Sequence, residues 1–403
     1  MDNRRKIGMD EVRNRILAEF IRYSQPEQYE PQAKNYLFDF MLERLKAEGV
    51  RSYFTFAVSE YLKADMEPKG ILPDQTQQLR LFDTQLPLLA EWLMGIMYLQ
   101  NHILDFKHKV RDSNGAVKFE VVHKRLIASH FQKDLLYGYI RDCVLTDQPE
   151  RNRLVLDTVQ NIFHMVDMAQ FWDKRNSSFA HFCGKKELLT TLHPKADAFI
   201  QEMLYQPDAS GETLMDWLWT KSLEYRVKPS KKRVTEQYFK RVCLENGALF
   251  VMMGDLVAAL LQYEGSAKEE VRRFAIRYAI MSQLVNDNVD TLPSHYEEAT
   301  AAKTPQDSAC DLKNNNITWI LIVYFSLNSN KNRNELLNLL QQSEQDLFDE
   351  IRGTVKNCGY PFGKQLAKLA RLQLNEGNNY HWAIADLSTI AYDLSLYGYF
   401  LKP

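Results

Sequence analysis

The 403-residue chain is 45% hydrophobic and 25% charged, so it has the apolar material for a sizeable core and not the composition of a disordered chain. Fifty Lys and Arg against fifty-two Asp and Glu leave a net charge of −2, which excludes a global pull on nucleic acid or anionic lipid. The five cysteines, Cys143, Cys183, Cys243, Cys310 and Cys358, are odd in number and never spaced CxxC, which argues against a disulfide framework or zinc site and for a reducing, cytoplasmic setting.

The first residues, MDNRRKIGMDEVRNRI, are charged and lack the apolar run of a secretory signal. Apolar residues then recur at helical spacing almost throughout, with no sustained alternation, so the pattern predicts an all-α chain. In chain order the spacing predicts helices over 9–24, 28–47, 52–65, 85–108, 119–146, 151–174, 195–206, 212–227, 232–262, 268–290, 314–328, 332–357, 362–376 and 379–400. Pro68, Gly70 and Pro73 break the third from the fourth, Asp112 to Gly115 is a turn, and Thr291 to Lys313 is a long loop with two prolines. The most apolar stretch, Ile317 to Leu327, is shorter than the roughly 20 residues a bilayer span needs. Long helices without a low-complexity linker suit one large bundle over residues 1–403.

Three local features carry candidate chemistry. Asn286, Asp287 and Asp290 close an apolar helix, and positions three and four apart share a face, so Asn286 or Asp287 can aim oxygens at one point together with Asp290. Such clusters suit Mg²⁺, which takes oxygen ligands together with substrate phosphates, and equally describe a polar helix end entering a loop. Asn101 and Asp105 share a face in the same way at the end of the apolar helix before 105, beside His102, a residue magnesium would not choose. Gln170 and Asp173 lie three apart in an otherwise apolar helix, as a packing hydrogen bond or as part of a polar pocket.

The order of these pieces resembles the trans-isoprenyl diphosphate synthase (polyprenyl synthetase) family over roughly residues 30 to 400. The family's DDxxD motif, ten residues after a helix-heading glutamate, is similar to Asn101-His102-Ile103-Leu104-Asp105 after Glu91, without the first two aspartates. Its GQxxD motif is similar to Ala169-Gln170-Phe171-Trp172-Asp173, and its FQxxDDxxD motif to Ser282-Gln283-Leu284-Val285-Asn286-Asp287-Asn288-Val289-Asp290. Its KTGALF segment resembles Glu245-Asn246-Gly247-Ala248-Leu249-Phe250, with glutamate in place of the phosphate-binding lysine. Arg111 is what is left of an Arg-Arg-Gly, and Arg51 of an N-terminal GGKRLRP. Before the next core helix, Asn316 and Thr318 stand where the family has Lys-x-Thr.

The resemblance implies an isoprenoid synthase bundle around a central hydrophobic cavity, with residues 174–230 as a helical insertion. It implies Mg²⁺ held by Asn101, Asp105, Asn286, Asp287 and Asp290, with Asp105, Asp287 and Asp290 catalytic. Arg51, Arg111, Gln170, Asp173 and Gln283 would bind substrate: an allylic isoprenyl diphosphate that is ionised, with isopentenyl diphosphate as acceptor. A homodimer, or a heterodimer with a related synthase, is the implied assembly. Lost acids and lysines within a maintained frame also suit a catalytically silent subunit of an active synthase. A terpene cyclase is a third expectation, although its NDxxSxxxE pattern fails at Asp290 and Ser294.

Overall fold

The computed structural model describes residues 7–47, 49–66, 79–104, 117–176, 178–184, 186–187, 191–208, 210–290 and 309–355. Helices follow one another as α1 (Met9–Ser24), α2 (Pro31–Leu37), α3 (Asp39–Ala47), α4 (Val50–Met66), α5 (Leu86–Leu104), α6 (Phe119–Tyr139) and α7 (Pro149–Asn176). The second half runs α8 (Pro194–Tyr205), α9 (Leu214–Glu224), α10 (Lys232–Val242), α11 (Ala248–Leu260), α12 (Ala267–Asp290), α13 (Trp319–Leu327), α14 (Arg333–Gln342) and α15 (Glu344–Val355). The described residues contain no strand, only the isolated bridges Ser178 to Asn316 and Pro207 to Thr213, so the all-α expectation holds.

Where the helices depart from the spacing, local chemistry explains the difference. The single helix expected over 332–357 is two, because Ser343 is extended and its Oγ accepts from the backbone N–H of Gln345 (3.1 Å) and Asp346 (3.3 Å), starting α15 afresh. The helix expected from 314 begins only at Trp319, since Asn315 adopts the left-handed region at φ 66° that asparagine tolerates. The helices expected over 362–376 and 379–400 lie outside the described residues.

Apolar side chains all round a helix require burial on all sides. That describes α5 and α13: Trp92, Leu93 and Ile96 of the first and Trp319, Ile322 and Val323 of the second are fully buried. Gln132 is a polar group drawn into this core and paired there. The Trp92 indole donates to Gln132 Oε1 (2.9 Å), and Gln132 Nε2 donates to the Leu37 carbonyl (2.8 Å), tying α5 and α6 to α2. Helices α10 and α11 join through a π-helical turn, Cys243–Gly247. By length and composition the longer Pro229–Leu260 helix passes as a membrane span, yet 72% of its apolar window is buried inside the molecule.

Helix directions follow from the cross-contacts. Arg51 of α4 meets Tyr98 of α5 (3.2 Å) while Lys63 meets Asp83 just before α5 (3.6 Å), so α4 and α5 are antiparallel. Phe54 stacks on Phe274 (6.3 Å) while the Tyr61 hydroxyl donates to Glu270 (2.9 Å), so α12 is also antiparallel to α4 and hence parallel to α5. Asn246 pairs with Gln283 (2.7 Å) and Gly254 packs on Val271, so α11 opposes α12. Helix α7 opposes α10 and α11 in turn, with Asp173 on Arg241 (3.2 Å) and Arg151 donating to the Leu260 carbonyl (2.7 Å). Helices α5, α7 and α12 therefore run the same way, and their C-terminal ends gather at one end of the bundle.

Residues 174–230 contribute α8 and α9, and their attachment to α7 is pH-sensitive. His193 caps α8, its Nδ1 accepting from the Lys195 N–H (3.3 Å) and facing His164 Nε2 of α7 at 3.2 Å. With Nδ1 already an acceptor, the proton between the rings belongs to His164. Burial, His193 and Lys195 push His164 below its ordinary value, against a weaker pull from Asp167. A histidine lowered on folding adds stability above its unfolded pKa, about 6.5, and that contribution is lost as pH falls through the folded value. The expected outcome is that His164→Gln, which keeps a donor, flattens the fall in melting temperature as pH drops below about 6.5; an unchanged slope would assign that fall to other groups.

Candidate functional site

The shared end of the bundle is where the polar residues collect, on the last turns of α5, α7 and α12, the first turn of α4 and the π-helical turn after α10. The turn can reach α12 because of Gly247, where an added Cβ would stand 2.6 Å from Ile276 Cδ1.

Asp287 is fully buried and bound on both oxygens. Oδ1 accepts from Gln283 Nε2 (2.7 Å); Oδ2 accepts from the Tyr238 hydroxyl (2.7 Å) and the backbone N–H of Trp319 (2.8 Å). The last contact places a carboxylate on the N-terminus of α13, where the helix dipole favours negative charge. Burial pushes the Asp287 carboxyl up, partly offset by Arg241 and by the Tyr238 and Trp319 hydrogen bonds. Gln283 in turn accepts from Asn246 Nδ2 (2.7 Å), so Asn246, Gln283, Asp287 and Tyr238 form one chain of hydrogen bonds.

A buried cation completes the cluster. Arg241 Nη1 stands 3.2 Å from Asp173 Oδ1 and 3.2 Å from Glu245 Oε2, and its guanidinium lies 5.3 Å from the centre of the Tyr238 ring. Burial alone would push Arg241 down; Asp173, Glu245 and Asp287 outweigh it and hold the guanidinium firmly charged. The glutamate that replaces a lysine in the resemblance is thus the i+4 partner of an arginine one turn earlier. Arg241 and Tyr238 escaped the sequence reading. A charge flanked by Phe239, Val242 and Leu244 on one helix was the available signal.

Gln170 is buried one turn before Asp173 on α7. Asn101 is half-buried at the end of α5, next to His102, whose ring meets Phe40 edge-on at 5.4 Å. Arg51 donates to the Tyr98 hydroxyl (3.2 Å), and Arg44 lies 4.2 Å over the same ring while donating to the buried Glu91 (3.1 Å). Asn286 is exposed, while its neighbour Asp287 is buried. Asp105, Arg111 and the side chain of Asp290 lie outside the described residues.

As a donor set for Mg²⁺ the described part does not fit. A magnesium site needs carboxylate oxygens that face water and substrate phosphates. Asp287 faces three protein donors, while Asp173 and Glu245 face Arg241.

No family model matches the chain, and no curated protein matches it. Its backbone is similar to a geranylgeranyl pyrophosphate synthetase from Pyrococcus horikoshii (TM-score 0.61, 13% identity, 96% of each chain covered). It is similar also to one from Geoglobus acetivorans (0.56, 13% identity, 96% of this chain and 99% of that one). A third is a polyprenyl synthase from Caulobacter crescentus, complexed with calcium and isoprenyl diphosphate (0.55, 12% identity, 97% and 99%). The chain therefore has the all-α fold of the prenyl diphosphate synthases.

Proposed function

We propose that this chain serves isoprenoid diphosphate metabolism as a catalytically silent relative of the prenyl synthases, pairing with an active synthase and altering its product. The carrying observation is Arg241, held by Asp173 and Glu245 beside the sealed Asp287. Ionising an allylic diphosphate requires carboxylates open to metal and cations open to phosphate. Here the cation of the cluster is closed by two carboxylates, and Glu245 would repel an incoming diphosphate at the position of the missing lysine.

Bound Mg²⁺ would supply charge neutralisation of the departing diphosphate. Its holding would fall to Asp105 and Asp290, assisted by the amide oxygens of Asn101 and Asn286, with Arg51 and Arg111 as phosphate clamps. What the described residues do is different: Arg241 neutralises Asp173 and Glu245, and Asp287 fixes α10 and α13 to α12.

Incubation of the purified protein with Mg²⁺, isopentenyl diphosphate and C5 to C20 allylic diphosphates is expected to give no longer chain, hydrocarbon or alcohol. Added to an active synthase, the protein is expected to co-purify with it and shift product length. Turnover by the chain alone would remove this reading. It would instead favour a diverged prenyltransferase or terpene synthase, the reading supported by the shared end of α5, α7 and α12, which leaves the ends bearing Asn101 and Asn286 on one side of the bundle. A single domain over 1–403, a cytoplasmic setting and a homodimer or heterodimer remain part of the proposal.

A further inference from the structure

The most conspicuous unpaired charge among the described residues lies away from this cluster. Arg277 of α12 is 6% exposed, and its Nε and Nη1 are buried without a hydrogen-bond partner. Arginine stays protonated even when buried, so the interior holds an uncompensated guanidinium, an arrangement that costs free energy until an anion meets it. Burial and Arg273 push Arg277 down to about 10, which leaves it charged at neutral pH. Arg273 lies one turn earlier on the same helix face and is exposed, so the pair runs from surface to interior. Asp208, in the turn after α8, is the acidic group within electrostatic reach, yet it is engaged by the Ser210 N–H and hydroxyl.

We propose that Arg277 and Arg273 form a binding site for a small oxyanion, a phosphate or carboxylate group, on the face of α12 near the turn that carries Asp208. The guanidinium donors Nε and Nη1 supply the inner contacts and Arg273 the outer charge. The site is separate from the Arg241 cluster, and the proposal stands whether or not the silent-subunit reading does.

The test is thermal unfolding of the full chain in inorganic phosphate, in acetate and in sodium chloride of matched ionic strength. Phosphate well above its Kd is expected to raise the melting temperature by about 2 °C or more over chloride. A rise with acetate as well identifies a general carboxylate and phosphate site, and a rise with phosphate alone narrows it to phosphate. Arg277→Met is expected to abolish the rise, and to melt higher than the native chain in chloride because a dry unpaired charge is gone. Arg273→Gln, at an exposed position where folding is not at stake, is expected to weaken the phosphate response several-fold. No rise in the native chain overturns the proposal. So does a rise retained in Arg277→Met, or one lost in Arg51→Gln but kept in Arg273→Gln, which would put the ion at the Arg241 end.

Discussion

Arg241→Met is expected to destabilise the protein by about 3–5 kcal/mol, the cost of removing one member of a buried ion cluster. The substitution leaves Asp173 and Glu245 facing each other without the cation between them, with Asp287 close by. If that is the cause, neutralising the carboxylates must restore most of the loss. Arg241→Met combined with Asp173→Asn and Glu245→Gln is therefore expected to recover to within about 1–2 kcal/mol of the native chain in urea unfolding, because a neutral cluster carries no unpaired charge. Equal instability of the single and triple variants would mean that Arg241 acts through the contact of its guanidinium with the Tyr238 ring.

On the proposed silent reading, the same cluster gives the polar end of the fold a different use. A guanidinium and a hydrated metal ion both answer the need of carboxylates gathered in a poorly solvated place. A metal leaves coordination positions for a substrate phosphate, whereas a buried guanidinium engaged by Asp173 and Glu245 leaves none of comparable charge. With the cation at 241 and an acid at 245, the two residues form an internal i, i+4 ion pair.

Much of this was legible in the sequence, for identifiable reasons. The helices showed in the 3.6-residue spacing of apolar positions, and Gln170, Asp173, Gln283 and Asp287 lie toward the C-terminal ends of α7 and α12, which share one end of the bundle. What spacing could not give was direction. Asn286 and Asp287 are neighbours on one helix, yet one side chain faces solvent and the other the core, a difference set by the tertiary partners Tyr238 and Trp319. Arg241 was hidden for a related reason. A charged residue on a helix reads as solvated unless its acidic partner from another helix is known, and Asp173 is 68 positions away (241 less 173).

Asp287 gives the second large effect, and it separates Asp287 from Asp290. Asp287→Ala removes the acceptor of three donors, Tyr238 Oη, Gln283 Nε2 and the Trp319 N–H, in a place fully buried from bulk solvent. Buried donors left bare cost about 1–3 kcal/mol each, and partial relaxation brings the expected loss to about 3–5 kcal/mol. Asp287→Asn should cost far less, about 1 kcal/mol. The retained Oδ can still accept from Tyr238 and Trp319, while a flip of the Gln283 amide would present its oxygen to the new Nδ2. That flip turns Gln283 Nε2 toward Asn246, whose own amide can flip to accept it, so the chain re-forms in reverse. Urea unfolding of the two variants beside Asp290→Ala decides the matter. A large loss confined to Asp287→Ala supports an internal tie between α10, α12 and α13, whereas small and equal losses at both positions would return Asp287 to the mouth of the bundle as a group free to meet a ligand.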